Sequence, residues 1–296
     1  MGYPLTIKAI AHCSTSVTTP PTRPRQFDRR RLYTAAVLIP GVYVIIVHLA
    51  PWALTLLLVA VGSIALLEFY HICFQARFNR LIVGVGLAAF VLVVARDHLS
   101  LALVNLLAAS ALVGSIAVSL LSGEANSRVK DSLILLFGVL YVGVPLSTVV
   151  STRSLPDGEF LALFLAIVTW ASDTGAYYTG TLWGKHPLLP SISPKKTIEG
   201  VLGGLALAIG AALLAQWWFA ARLTPSDALI LGVLLTGTGL LGDLFESSIK
   251  RRTGVKDSGG ILPGHGGMLD RIDSLLFTAP AFYYYVACVR GLSPPL

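Results

Sequence analysis

Charge is what this sequence has little of. Of its 296 residues only 12% are charged, 22 basic and 15 acidic, whereas 55% are hydrophobic, and the mean hydropathy is +0.76. A soluble domain usually carries about 25% charged residues. Too few polar groups are present to coat a globule in water, so a soluble enzyme is all but excluded and lipid is the expected solvent. Cysteine is scarce as well. Cys13, Cys73 and Cys288 are scattered, odd in number and in no ligand-like spacing, which argues against a disulfide framework and against a zinc site. Acid is almost missing from residues 1–31, where Asp28 stands alone among Ser, Thr, Pro and Arg, with no apolar stretch long enough for a signal peptide. That composition reads as a disordered basic tail. A transit peptide is the lesser reading, and Met1-Gly2 followed by Thr6 fits a myristoylation pattern only formally.

What is present is a series of apolar runs. A membrane helix needs about 20 apolar residues. Runs of that kind lie near 32–50, 52–70, 81–96, 99–121, 132–150, 159–180, 198–220, 227–246 and 272–290. The predicted fold is therefore an all-α integral membrane protein of about nine transmembrane helices. The longest polar interruptions after the tail, 181–197 and 247–271, are too short for a soluble domain, so residues 32–296 read as one polytopic membrane domain. Basic residues orient it. With the amino terminus cytoplasmic, 18 of the 22 basic residues fall on the cytoplasmic side, and only Arg96, Arg153, Arg222 and Arg290 lie opposite, as the positive-inside rule expects. Both long polar loops then face the cytoplasm.

The first half of the chain is nearly pure spanning material, while residues 170–273 collect acids, bases and glycines. Asp173 and Asp243 interrupt otherwise apolar runs. An ionised carboxylate there is costly unless it is paired, bound to a cation or facing water. For Asp243, near Lys250 and Arg251, a helix end is a credible ordinary explanation; for Asp173 function outweighs it. Further along, Lys250, Arg251, Arg252 and Lys256 precede glycines at 259, 260, 264, 266 and 267, and Asp270-Arg271-Ile272-Asp273 closes the stretch. Glycines let backbone N–H groups approach a ligand, and cations beside them suit a polyphosphate. Asp270 and Asp273, three apart on one helix face, could join Asp243 in supplying the oxygen ligands that Mg²⁺ prefers. Taken singly, loop bases mark topology, glycines mark turns and a first-turn acid suits the helix dipole. Their conjunction reads as a site for a metal–polyphosphate complex, opened to the cytoplasm and placed at lipid depth.

The passage Ser248 to Asp273 resembles the signature of the phosphatidate cytidylyltransferases, also called CDP-diacylglycerol synthases. The match consists of Ser247 or Ser248, Lys250, Arg251, Lys256, Asp257, His265, Gly266, Gly267, Asp270, Arg271 and Asp273. Ser172-Asp173-Thr174-Gly175-Ala176-Tyr177 and Ser193-Pro194-Lys195-Lys196-Thr197-Ile198-Glu199-Gly200 are similar to that family's upstream motifs. The amino-terminal half matches only as generic membrane helices.

The resemblance implies transfer of the cytidylyl group of CTP to phosphatidic acid, giving CDP-diacylglycerol and diphosphate, by a Mg²⁺-dependent multi-helix enzyme that acts as a dimer. It implies a polar cleft formed by the carboxy-terminal helices. Asp243, Asp270 and Asp273 are the expected metal ligands, with a second cation allowed. Lys250, Arg251, Lys256 and Arg271 are expected to hold the triphosphate or the departing diphosphate. His265 either assists the leaving group or shapes the glycine turn, with equal weight. Lys195 and Lys196 are expected to meet the lipid phosphate or the nucleotide, Ser172, Asp173 and Tyr177 to line the cleft, and Gly266 and Gly267 to admit substrate. Gly200 and Gly204 form a Gly-x-x-x-Gly whose main expected use is packing within one chain, a dimer contact being the other. The expected partners are CTP, phosphatidic acid and membrane lipid rather than nucleic acid. The expected location is a bacterial plasma membrane with the site facing the cytoplasm, or an organelle membrane if the tail is a transit peptide. A CTP-dependent transferase acting on another lipid, an ion-coupled transporter and a non-catalytic scaffold are the rival readings.

Overall fold

A computed structural model describes residues 39–74, 80–99, 125–255, 258–259 and 266–292. After a helical stretch at 39–47, α1 spans Pro51–Phe74 and α2 Arg80–Val94. Helix α3 runs from Ala125–Gly138 through a π-helical turn at Val139–Gly143 into Val144–Arg153. Then come α4 (Gly158–Trp183), an antiparallel hairpin of β1 (Pro187–Leu189) and β2 (Ser193–Thr197), α5 (Ile198–Trp218), α6 (Pro225–Arg252) and α7 (Leu269–Tyr284). Helix α7 ends in a second π-helical turn, Tyr285–Val289.

Six helices among the described residues are long and apolar enough to cross a membrane: Pro51–Phe74, Lys130–Arg153, Gly158–Trp183, Ile198–Trp218, Pro225–Arg252 and Leu269–Val289. The 26 residues of α4 reach about 39 Å at 1.5 Å per residue. The protein is thus a helical, multi-pass membrane protein. Of the other expected spans, 81–96 is a shorter apolar helix, 32–50 is described from residue 39 on and is helical over 39–47, and 99–121 lies outside the described residues beyond residue 99, as does the tail 1–31.

Local chemistry sets the helix boundaries. Thr197 caps α5 by accepting the Gly200 N–H at 3.1 Å. Thr224 and Asp227 form a reciprocal capping box at the start of α6, with Pro225 in its first turn, where a missing N–H costs nothing. In α3 the π turn directly precedes Pro145, whose ring and missing N–H break the regular ladder. Two boundaries differ from the sequence expectation. The 181–197 interruption folds into the hairpin, which strand alternation does not announce in Ser-Pro-Lys-Lys-Thr. Lys250, Arg251 and Arg252 belong to the last turn of α6 rather than to a loop, a placement favoured by the negative end of the helix dipole.

The core is built from Leu66, Phe69, Tyr70, Phe90, Phe164 and Phe282, all at most 2% exposed. The Tyr70 hydroxyl donates to the Leu135 carbonyl at 2.9 Å. Helices α4, α5, α6 and α7 pack most closely on one another, α4 against α5 above all. Leu202, Leu207, Leu214, Trp217 and Trp218 of α5 face outward, which suits acyl chains and would be unfavourable in water.

Candidate functional site

Small residues bring α4 and α5 together at the site. A Cβ added to Gly200 would lie 2.9 Å from the Ala176 carbonyl oxygen, one on Gly204 2.8 Å from that of Ser172, and one on Gly175 2.6 Å from that of Gly203. The Gly-x-x-x-Gly pair is thus used within the chain, as the sequence favours, and backbone approaches backbone only because no side chain intervenes. Gly242 does the same between α6 and α7, where an added Cβ would strike the Asp273 carbonyl. This close approach sets Asp243 beside Asp273.

These helices and β2 surround a cavity of about 860 Å³, within the range of about 300–1,000 Å³ typical of small-molecule sites. Ser172, Asp173 and Tyr177 line it from α4, Lys195 and Lys196 from β2, Asp243 from α6, and Asp270, Arg271 and Asp273 from α7. Nine of the residues singled out in the sequence therefore meet on one wall system. Asp243, Glu246 and Asp173 are charged neighbours of Asp273. Lys196 Nζ pairs with Asp243 Oδ2 at 2.6 Å, and the Ser274 hydroxyl donates to Asp173 Oδ1 at 3.3 Å.

Behind this wall sits a second ionic group. Lys250 Nζ lies 2.6 Å from Asp270 Oδ1 and 3.4 Å from Oε1 of Glu246, whose residue is 1% exposed. Asp270 Oδ2 accepts the backbone N–H groups of Gly267 at 3.1 Å and Ser258 at 3.4 Å. Asp270 is thereby held by Lys250, by a side-chain hydrogen bond with Glu246 and by two backbone N–H groups. Lys250 does not line the cavity and serves to hold Asp270. Arg251 stands at the hairpin turn, with Nε 3.5 Å from the Ile192 carbonyl. Gly266 takes a left-handed backbone (φ +76°), which favours glycine, and Gly267 gives its N–H to Asp270. Neither glycine lines the cavity. Lys256 and His265 lie outside the described residues.

Among the described residues no three His, Cys, Asp or Glu side chains converge at metal-ligand spacing. The donor chemistry nonetheless fits Mg²⁺, which is usually held by one or two carboxylates together with substrate phosphates and water, and Asp243 and Asp273 offer hard oxygens on the cavity wall.

Sequence reasoning passes over four contributors. Thr236 accepts the Ser172 hydroxyl at 3.3 Å, Ser274 holds Asp173, Glu246 flanks Lys250, and Glu68 of α1 reaches the start of α7, accepting the Leu269 N–H at 2.9 Å. Glu68 carried the same signal as Asp173: it is the single acid in the apolar run Pro51–Phe74.

The family model "Cytidylyltransferase family" matches residues 29–289. Over 150 residues the chain is 46% identical to a phosphatidate cytidylyltransferase of Staphylococcus haemolyticus (strain JCSC1435), 45% to one of Staphylococcus saprophyticus and 44% to one of Staphylococcus aureus (strain COL). Each match covers 51% of this chain and 57% of the relative, so the chain spans little more than half the length of the curated relatives it matches.

Proposed function

The chain belongs to the cytidylyltransferase family, and we propose that it transfers the cytidylyl group of CTP to phosphatidic acid, releasing CDP-diacylglycerol and diphosphate in phospholipid synthesis. One observation carries the reading: a cavity among membrane-length helices whose wall sets Asp173, Asp243 and Asp273 against Lys195, Lys196 and Arg271. Such a wall suits two anionic substrates, one dissolved and one anchored in lipid.

In the proposed reaction a phosphate oxygen of the lipid attacks the α-phosphorus of CTP. The new P–O bond forms as the bond from that phosphorus to the bridging oxygen breaks, and the electron pair leaves with diphosphate. The nucleophile is already anionic, so no side-chain nucleophile is needed, and catalysis rests on in-line placement and charge neutralisation. Lys195, Lys196 and Arg271 hold phosphate oxygens; Lys196 exchanges its pairing with Asp243 for substrate. Ser172 and Tyr177 shape the wall, and Lys250 keeps Asp270 in place. Bound Mg²⁺, held by Asp243 and Asp273 with Asp270 alongside, would neutralise charge on the phosphates.

The same reading makes the cavity the cytoplasm-facing polar cleft of a nine-helix bundle whose amino terminus is cytoplasmic, in a bacterial plasma membrane, with two copies pairing. It takes residues 32–296 as one membrane domain. The distribution of basic residues supports the orientation, and the staphylococcal relatives support the compartment.

The test is conversion of labelled CTP and phosphatidic acid by detergent-purified protein. Product should form with Mg²⁺, cease with a chelator, and fall about 10²- to 10³-fold in Asp243→Asn and Asp270→Asn, the scale of losing one charge-stabilising group. No product from the unaltered protein, or undiminished product from both variants, rejects the assignment.

A further inference from the structure

Glu68 lies in the apolar helix α1, far in sequence from every motif, and is 3% exposed. A carboxylate so placed is costly unless something uses it. Its Oε2 accepts the Leu269 N–H at 2.9 Å and the Ser258 hydroxyl at 3.3 Å. Leu269 is the first residue of α7, where backbone N–H groups lack helical partners and an acid is favoured by the dipole. Ser258 and Gly267 then pass the contact on, because their backbone N–H groups are the ones that Asp270 Oδ2 accepts.

The glycines of the motif fit around this carboxylate. A Cβ on Gly259 would lie 2.5 Å from Glu68 Oε1 and 2.8 Å from its carboxyl carbon, and one on Gly267 would lie 2.6 Å from Oε2. Gly259 is thus crowded by Glu68, while an added Cβ on Gly267 would strike the Ser258 hydroxyl before Glu68; this crowding is a different demand from admitting a phosphate.

We propose that Glu68 is a positioning residue for the transfer reaction: it clamps Ser258 and the first turn of α7, so that Asp270, and Asp273 one turn on, face the cavity. The inference rests on the function proposed above. Loss of an outer partner that orients ligating groups typically costs about 10- to 100-fold in metal affinity or activity.

The experiment uses full-length protein in detergent and the variants Glu68→Leu, Glu68→Gln, Gly259→Ala and Glu68→Ala with and without Gly259→Ala. Three quantities are read: kcat and KM with CTP and phosphatidic acid, Mn²⁺ binding in the presence of CTP by electron paramagnetic resonance, and thermal unfolding. Glu68→Leu should lower kcat and weaken Mn²⁺ binding, each about 10- to 100-fold, with the KM for phosphatidic acid unchanged. Glu68→Gln, which keeps an acceptor for the Leu269 N–H, should recover most of both. Gly259→Ala should be damaging alone, yet add less than about twofold in the Glu68→Ala background, because the group it strikes is gone. The proposal is overturned if Glu68→Leu keeps normal kcat and Mn²⁺ affinity and merely melts earlier, or if Gly259→Ala costs the same in both backgrounds. Should the unaltered protein make no product, the reading of its function fails separately. Mn²⁺ binding and the coupling between residues 68 and 259 in unfolding then still decide whether Glu68 positions α7.

Discussion

The two polar ends of this helix bundle treat charge in opposite ways. At one end the four arginines that the charge distribution sets apart are each matched by an acid: Arg96 with Asp97, Arg153 with Glu159, Arg222 with Asp157 and Arg290 with Asp227. Asp227 also closes the cap of α6 and accepts the Tyr285 hydroxyl at 2.8 Å. At the other end carboxylates stand next to carboxylates around an open cavity, with Asp173, Asp243 and Asp273 as mutual neighbours and Lys195 and Arg271 on the same wall. The matched end satisfies its own charges and can only stabilise. The cavity end pairs Lys196 with Asp243 yet keeps three carboxylates close together around an open space. An electrostatically unfavourable arrangement kept in a membrane protein is a mark of function, and the matched end supplies the internal control.

Substitutions can break or sharpen that contrast. The largest effect is expected from Lys250→Met, which strips the cation from Glu246 and Asp270 together. Removing one partner of a buried pair costs about 3–5 kcal/mol, so chemical denaturation in detergent should show that loss and activity should fall with it; unfolding at the normal denaturant concentration would mean that the group contributes nothing. Lys196→Ala comes next. A hydrogen bond to a charged group contributes about 1.5–3 kcal/mol, so KM for one of the two substrates should rise about tenfold or more while the melting temperature hardly moves. An unchanged KM for both would remove Lys196 from the binding wall. At the matched end Asp227→Ala should show the reverse pattern, a loss of stability as α6 loses its capping-box acid together with the Arg290 pair and the Tyr285 hydrogen bond, with kcat per folded molecule intact. A selective loss of kcat there would erase the distinction between the ends. Arg222→Ala should do least, since its pair with Asp157 is about half exposed and such pairs contribute about 0–1 kcal/mol; a larger shift in melting would show that this end is more tightly coupled than its geometry indicates.

Most of the cavity wall was legible in the sequence because its members come in short, chemically unusual runs. Asp173 and Asp243 stand out against apolar surroundings, and Lys195-Lys196 and Asp270-Arg271-Ile272-Asp273 are dense with charge. Lys250 was legible as a functional base but not as the partner of Asp270, and Gly267 was legible as a special glycine but not as the neighbour of Glu68. Pairings of that kind join residues 20 and 190 or more positions apart. Periodicity and local spacing carry no information at those separations.

Composition and the lengths of apolar runs were enough by themselves to determine that this chain is a helical membrane protein, because lipid requires each spanning segment to satisfy its backbone internally and to present apolar side chains. The motifs also determined which residue types assemble the site. Only the tertiary structure decided how they are used: which lysine faces the cavity and which stands behind it, which glycines pack helix on helix, and that an acid from α1 holds the start of α7. Those outcomes depend on how closely the helices approach, and that distance is set by packing between segments distant in the chain.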